Sequence, residues 1–135
     1  MKVVADSHAL LYYLFTPDQL SDLALETLGA AEDSDGVVVS TASLGDLWYS
    51  SHKIGKRALT PGAYESLRET VLDPASRFEL VPIDVSTIDH FERFPREALG
   101  DPWDRLIVAT ASQFDVPLVS RDRAISAAGV VEVIW

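Results

Sequence analysis

Short apolar runs rich in β-branched residues alternate along the chain with stretches whose apolar residues recur every three or four positions. This alternation predicts strands and helices in turn. Lys2-Val3-Val4-Ala5 reads as a strand with a helix behind it over about 8–15, and a second helix covers about 21–31 with Leu20, Ala24, Leu28 and Ala31 on one face. Val37-Val38-Val39 follows the Asp33-Ser34-Asp35-Gly36 turn signal as a buried strand. The next helix, about 43–54, points Leu44, Leu47, Trp48, Ser51 and Ile54 at the core, and Gly55 stops it. Thr60-Pro61 reads as the N-cap and first residue of another helix, with Tyr64, Leu67 and Val71 as its apolar stripe. Leu80-Val81 is a short strand, and a helix follows over about 86–94. Asp101-Pro102 opens a helix over about 102–114 that is apolar nearly all round. Pro117 to Val119 and Val130 to Ile134 are the last strands, with a short helical turn near 123–127 between them. Strands alternating with helices predict an α/β fold, a central parallel sheet flanked by helices on both faces. In such sheets ligands bind beyond the carboxyl ends of the strands.

The 135 residues, 47% of them hydrophobic, make a single domain spanning 1–135 with enough apolar material for a core. Without cysteine, disulfide scaffolds, zinc ribbons and thiol catalysis are excluded, and a reducing cytoplasm suits the chain. The start, MKVVADSHALLYYLF, lacks the basic and apolar regions of a signal peptide, and no apolar run is long enough to span a bilayer. A net charge of −10 disfavours polyanions unless the charge is reversed locally. It therefore raises the question of whether some acids are clustered to hold cations.

Five aspartates fall near the predicted strand-end edge. Asp6 follows the first strand, and Asp46 falls in the first turn of the helix after the second. Asp101 and Asp104 open the long buried helix, and Asp122 follows the strand ending at Val119. Hard oxygen ligands without nearby histidine or cysteine ligation suit Mg²⁺ or Mn²⁺ rather than zinc. Each acid also has a structural reading as a helix cap or first-turn acid, but separate caps need not converge, whereas a metal site must. Dinucleotide, P-loop and nucleophile-elbow motifs are absent. His8, His52 and His90 lack ligand spacing and read as surface or capping residues. Trp48 and Trp103 read as core. Lys53, Lys56 and Arg57 form a small basic cluster that serves either the helix C-terminus or a phosphate.

The segments VVADSHALLYYL, SLGDLWYSSHKIGK and above all DPWDRLIVATASQFDVPLVSRDRAI resemble the PIN domain, and more narrowly the VapC-type ribonuclease toxins of bacterial toxin–antitoxin pairs. The resemblance spans nearly the whole chain. It implies a cytoplasmic homodimer, Mg²⁺ or Mn²⁺, hydrolysis of RNA phosphodiester bonds, and a cognate antitoxin that sends a basic segment to the acidic groove. It assigns Asp6, Asp46, Asp104 and Asp122 as catalytic acids and metal ligands, with Asp101 as a further acid. Ser7 and Ser120 are candidates to orient ligands or water. Aspartate at 46 departs from the family's usual glutamate and shortens its reach by one methylene. Gly45, just before it, replaces a bulkier residue within a helix, a choice the sequence does not explain. Two rival readings stand beside this one. One is a PIN-like module that has lost turnover and kept its protein contacts. The other is an aspartyl phosphatase using Asp6, disfavoured because His8 stands where a second aspartate belongs.

Overall fold

The computed structural model describes residues 1–53 and 59–135. Five parallel strands form one sheet: β1 (Val3–Ala5), β2 (Val37–Ser40), β3 (Phe78–Val81), β4 (Leu118–Val119) and β5 (Val133–Ile134), in the order β3-β2-β1-β4-β5. The chain winds outward from β1 through β2 to β3, then returns to place β4 on the other side of β1. Val4 is consequently in register with Val38 on one side and Leu118 on the other. The reversal of winding opens a crevice between the carboxyl ends of β1 and β4.

Period-two alternation in the strands feeds two cores. Val3, Ala5, Val37, Val39, Phe78 and Val119 face α1 (Ser7–Phe15), α2 (Asp22–Glu32) and α4 (Ala63–Leu72), and Leu47 of α3 (Thr41–Ser51) joins them. Val4, Val38, Val81 and Leu118 face the other way, toward α6 (Pro102–Phe114) and α7 (Arg123–Ala128). Because α6 contributes Ile107, Val108, Ala109 and Ala111 to this second layer, it is buried from Ile107 to Ser112. No helix among the described residues is long and apolar enough to cross a membrane.

The fold corrects several sequence expectations. Helix α3 starts at Thr41, two residues earlier than the periodicity suggests, because the Ser40 side chain caps it by accepting from the Ala42 N–H at 3.1 Å. Asp46 therefore lies in the second turn rather than the first. The helix ends at Ser51 with His52 as its cap, while Ile54, Gly55, Lys56 and Arg57 lie outside the described residues. Thr60 and Pro61 do not open α4. They belong to a turn closed by the Ala63 N–H donating to the Thr60 carbonyl at 3.0 Å, with Gly62 at φ 85°. Proline followed by a left-handed glycine is the signature of a type II turn, and the helix begins only beyond it. The helix expected over 86–94 is a short α5 (Val85–Asp89), fixed by an Asp84/Thr87 capping box, that tightens into a 3-10 turn over His90–Arg93. Of the expected last strand only Val133 and Ile134 pair with β4, whereas Val130 and Val131 pack against the second core. Trp48 is not core. It is 43% exposed, turned about 100° around α3 from the buried Leu47 and stacked on His52 with ring centroids 4.0 Å apart.

Candidate active site

A cavity of about 400 Å³ lies at the carboxyl edge of the sheet, over the crevice between β1 and β4. Asp6, Asp46, Asp101, Asp104 and Asp122 all line it, with Ser7, His8, Ser50, Lys53 and Arg121. All five candidate aspartates, from four separate stretches of chain, thus meet at one place.

The way they are held follows from local chain chemistry. Asp6 ends β1 and caps α1, its Oδ1 accepting from the Ala9 N–H at 2.8 Å. Asp101 caps α6 through Oδ1, accepting from the N–H of Trp103 at 2.8 Å and of Asp104 at 3.4 Å. Asp122 caps α7 in the same way, from Ala124 at 2.8 Å and Ile125 at 3.2 Å. For Asp101 and Asp122 the second carboxylate oxygen, Oδ2, takes no hydrogen bond among the described residues, while the Asp6 carboxylate also has the Ser120 hydroxyl beside it. The choice between cap and ligand posed by the sequence is therefore not exclusive: one oxygen anchors a helix start and the other is left for the cavity. Asp104, in the first turn of α6, and Asp46, in α3, cap nothing.

Crowding of like charges shows in the proton affinities. Asp104 is pushed up to about 7, first by burial and then by the fields of Asp101, Asp122, Asp46 and Asp6. Asp6 is also raised. Burial is the largest cause and Asp122 adds to it, against the pull of the Ser120 hydroxyl, the Ala9 N–H and His8. A site that resists ionisation this way gains most when a cation enters.

Hard carboxylate oxygens in a half-enclosed cavity fit Mg²⁺ or Mn²⁺ by donor chemistry. The Ser7 hydroxyl adds to the fit, being buried at the cavity wall without a hydrogen-bond partner among the described residues. Among the described residues no three acidic or histidine side chains stand close enough to encircle an ion as they are, so taking one up requires side-chain rotation. The uncapped Asp104 and Asp46 have that freedom.

Three contributors escaped the sequence reading or received little weight. Arg121 reaches the cavity rim, its guanidinium donating to the Tyr12 hydroxyl at 2.8 Å and lying 5.2 Å over the Tyr12 ring. Its place between Ser120 and Asp122 was the available signal. Ser50 stands one turn on from Asp46, a spacing that puts both on one helix face. Of the basic cluster, Lys53 lines the cavity. His8 is exposed at the rim and His52 caps α3, whereas His90 is half-buried and pairs through Nδ1 with the buried Ser112 hydroxyl at 2.9 Å.

Gly45 also gains its explanation. A Cβ there would meet Cη2 and Cζ3 of Trp103 at 2.8 Å. Glycine lets the indole lie against α3, and that contact draws the start of α6, with Asp101 and Asp104, toward Asp46.

A PIN domain family model matches residues 3–131. The chain belongs to the PIN domain family. No curated protein matches it. Several solved structures share its architecture over nearly the full length of both chains. VapBC2 from Rickettsia felis, bound to a DNA fragment from its promoter, is 16% identical with a TM-score of 0.71, covering 98% of this chain and 97% of that one. The sarcin–ricin loop cleaving toxin VapC20 from Mycobacterium tuberculosis is 17% identical with a TM-score of 0.66, covering 97% and 98%. VapBC-5 from the same organism, a member of the VapBC family of toxin–antitoxin systems, is 19% identical with a TM-score of 0.63, covering 98% and 96%. At these identities the likeness establishes the fold, a PIN domain with a five-stranded parallel sheet.

Proposed function

We propose that this PIN domain is a metal-dependent endoribonuclease and the toxin of a toxin–antitoxin pair. The observation that carries the reading is the meeting of Asp6, Asp46, Asp101, Asp104 and Asp122 in one cavity at the sheet's switch point. Asp6, Asp104 and Asp122 would hold the ion, with Asp46 completing the set directly or through water and Asp101 supporting from the helix start. A bound Mg²⁺ or Mn²⁺ lowers the pKa of a coordinated water and stabilises charge on phosphate oxygens. The capped carboxylates Asp6 and Asp122 fix the site's geometry. Ser7 and Ser120 orient what binds there, and Lys53 and Arg121 offer positive charge to the phosphate backbone. The toxin assignment draws on structural likeness to toxin–antitoxin proteins from other bacteria. In the same reading the chain works in the cytoplasm as a homodimer and is silenced by an antitoxin.

The test is cleavage of a generic single-stranded RNA with Mn²⁺, with Mg²⁺ and with EDTA. Asp104→Asn should lower turnover roughly 100-fold or more, as loss of a principal charge-stabilising group does. A wild type that cuts no RNA with either ion, while Asp46→Glu does, would favour the second reading: a domain that has given up turnover at Asp46 and kept its partner.

A further inference from the structure

Beside the acidic cavity begins a ribbon of aromatic rings: Trp103 packs against α3, but the rings beyond it serve neither the core nor the carboxylate chemistry. Asp46 and Ser50 present one face of α3 to the cavity, and Lys53, just beyond the helix end, lines it too. Tyr49, 58% exposed, lies beside that face, and Trp48, 43% exposed, follows it around the helix away from the cavity. The ribbon begins at Trp103, between the cavity-lining Asp101 and Asp104. It continues to Tyr49 at 5.8 Å between ring centroids, to Trp48 at 5.2 Å and to His52 at 4.0 Å. Leu47 alone of this turn is fully buried in the core, so exposing two large aromatics here does nothing for packing.

We propose that Trp103, Tyr49 and Trp48 form a stacking platform for unpaired bases of an RNA whose backbone enters the acidic cavity. The proposal rests on the nuclease reading and deepens it. The chain's net charge of −10 repels a polyanion, and the described cations at the cavity are Lys53 and Arg121 beside five aspartates. Among the described residues, phosphate contacts are therefore few. Stacking is indifferent to charge and works with any base, because every base has a π-face. Bases in a duplex are already stacked on one another, so the platform selects single-stranded or looped RNA and tolerates varied sequence. His52 backs the Trp48 ring on one side, which holds the indole in place for a base on the other.

The test uses the full chain and three probes: a single-stranded RNA, a duplex of the same sequence, and the single strand with abasic positions. Affinity is read in Ca²⁺ by quenching of tryptophan emission and by anisotropy of labelled RNA, and kcat and KM are read in Mn²⁺. Tyr49→Ala and Trp48→Ala should each raise Kd and KM about tenfold, within the range measured for stacking of one base, with kcat little changed. Tyr49→Phe and Trp48→Phe should restore binding, while the duplex and abasic strands bind wild type as weakly as the single strand binds the alanine variants. RNA cleaved by wild type with KM unchanged in both alanine variants would remove the platform and leave the nuclease. RNA bound through the rings and never cleaved would do the reverse, and RNA neither bound nor cleaved removes both. Conversion of a dimer to a monomer by Tyr49→Ala, without change in KM, would make this face a contact between copies and refute the proposal.

Discussion

Neutralising Asp104 should stabilise the metal-free protein, contrary to the usual effect of altering a half-buried group. Its carboxyl is raised from 3.8 to about 7 by burial and by four neighbouring aspartates. The folded state therefore holds this proton more tightly than the unfolded chain. The stability it contributes is fully present below the unfolded value of 3.8 and is lost as pH rises through about 7. A shift of this size would cost about 4 kcal/mol at alkaline pH if the group were wholly shielded. Asp104 is only half-buried, and solvent screening reduces the figure to roughly 1–2 kcal/mol. Asparagine keeps the shape and stays neutral. In EDTA at pH 8, Asp104→Asn should melt above wild type by roughly 3–8 °C, and the gap should close as pH falls toward 4. Excess Mn²⁺ should reverse the order, because it stabilises wild type by RT ln(1 + [L]/Kd), about 2.7 kcal/mol at 100 Kd, and the variant by less. Thermal melts at pH 4.5, 6 and 8, with and without Mn²⁺, read all of this. If the variant is less stable than wild type by the same margin at every pH, Asp104 is an ordinary first-turn acid and the repulsion argument fails.

Asp46→Asn should abolish most RNA cleavage without changing the melting temperature by more than a degree or two, whereas Asp46→Glu should retain or raise activity, measured at matched folded fraction. Gly45→Ala should displace the Trp103 ring and shift its emission, at a cost of about 1–3 kcal/mol from overpacking set against the helix gain of about 1 kcal/mol. In a Trp103→Ala background the same change should simply stabilise, so the sign reversal across the double-mutant cycle checks the contact. An antitoxin segment carrying arginine or lysine into the acidic cavity should inhibit cleavage. Replacing its basic residues with alanine should restore cleavage while pull-down still recovers the pair through other contacts, and full inhibition by the neutral segment would sink the charge-substitution idea.

Elements whose pattern reports burial were legible in the sequence. The four positions Leu20, Ala24, Leu28 and Ala31 are all buried as their spacing implied, and α6 matches its expected limits because Asp101-Pro102 is both cap and first residue. What was missed depends on geometry that no periodicity encodes. Thr60-Pro61 serves as a helix start in one context and as half of a type II turn in another, and the deciding feature is the left-handed Gly62. Trp48 looked like core because tryptophan usually is, yet α3 packs through Leu47, and Trp48, turned about 100° from it, is left at the surface. The five acids could be placed at one edge by topology. Their shared cavity, and the reason for Gly45, needed the Trp103 ring in three dimensions.

The double use of Asp6, Asp101 and Asp122 has a consequence for how such a domain can change over generations. Each of these residues is a helix cap, and losing a cap to alanine costs about 0.5–2 kcal/mol, a sizeable fraction of a small domain's margin. Mutational drift away from acid at these three positions is therefore opposed by folding itself, whether or not the protein is still under selection to cut anything. Asp104 and Asp46 have no such protection, and Asp104 even opposes the stability of the metal-free fold. A lineage relaxing its chemistry would first show it at these two positions. Asp46, which stands where the family resemblance implies a glutamate, is one of them.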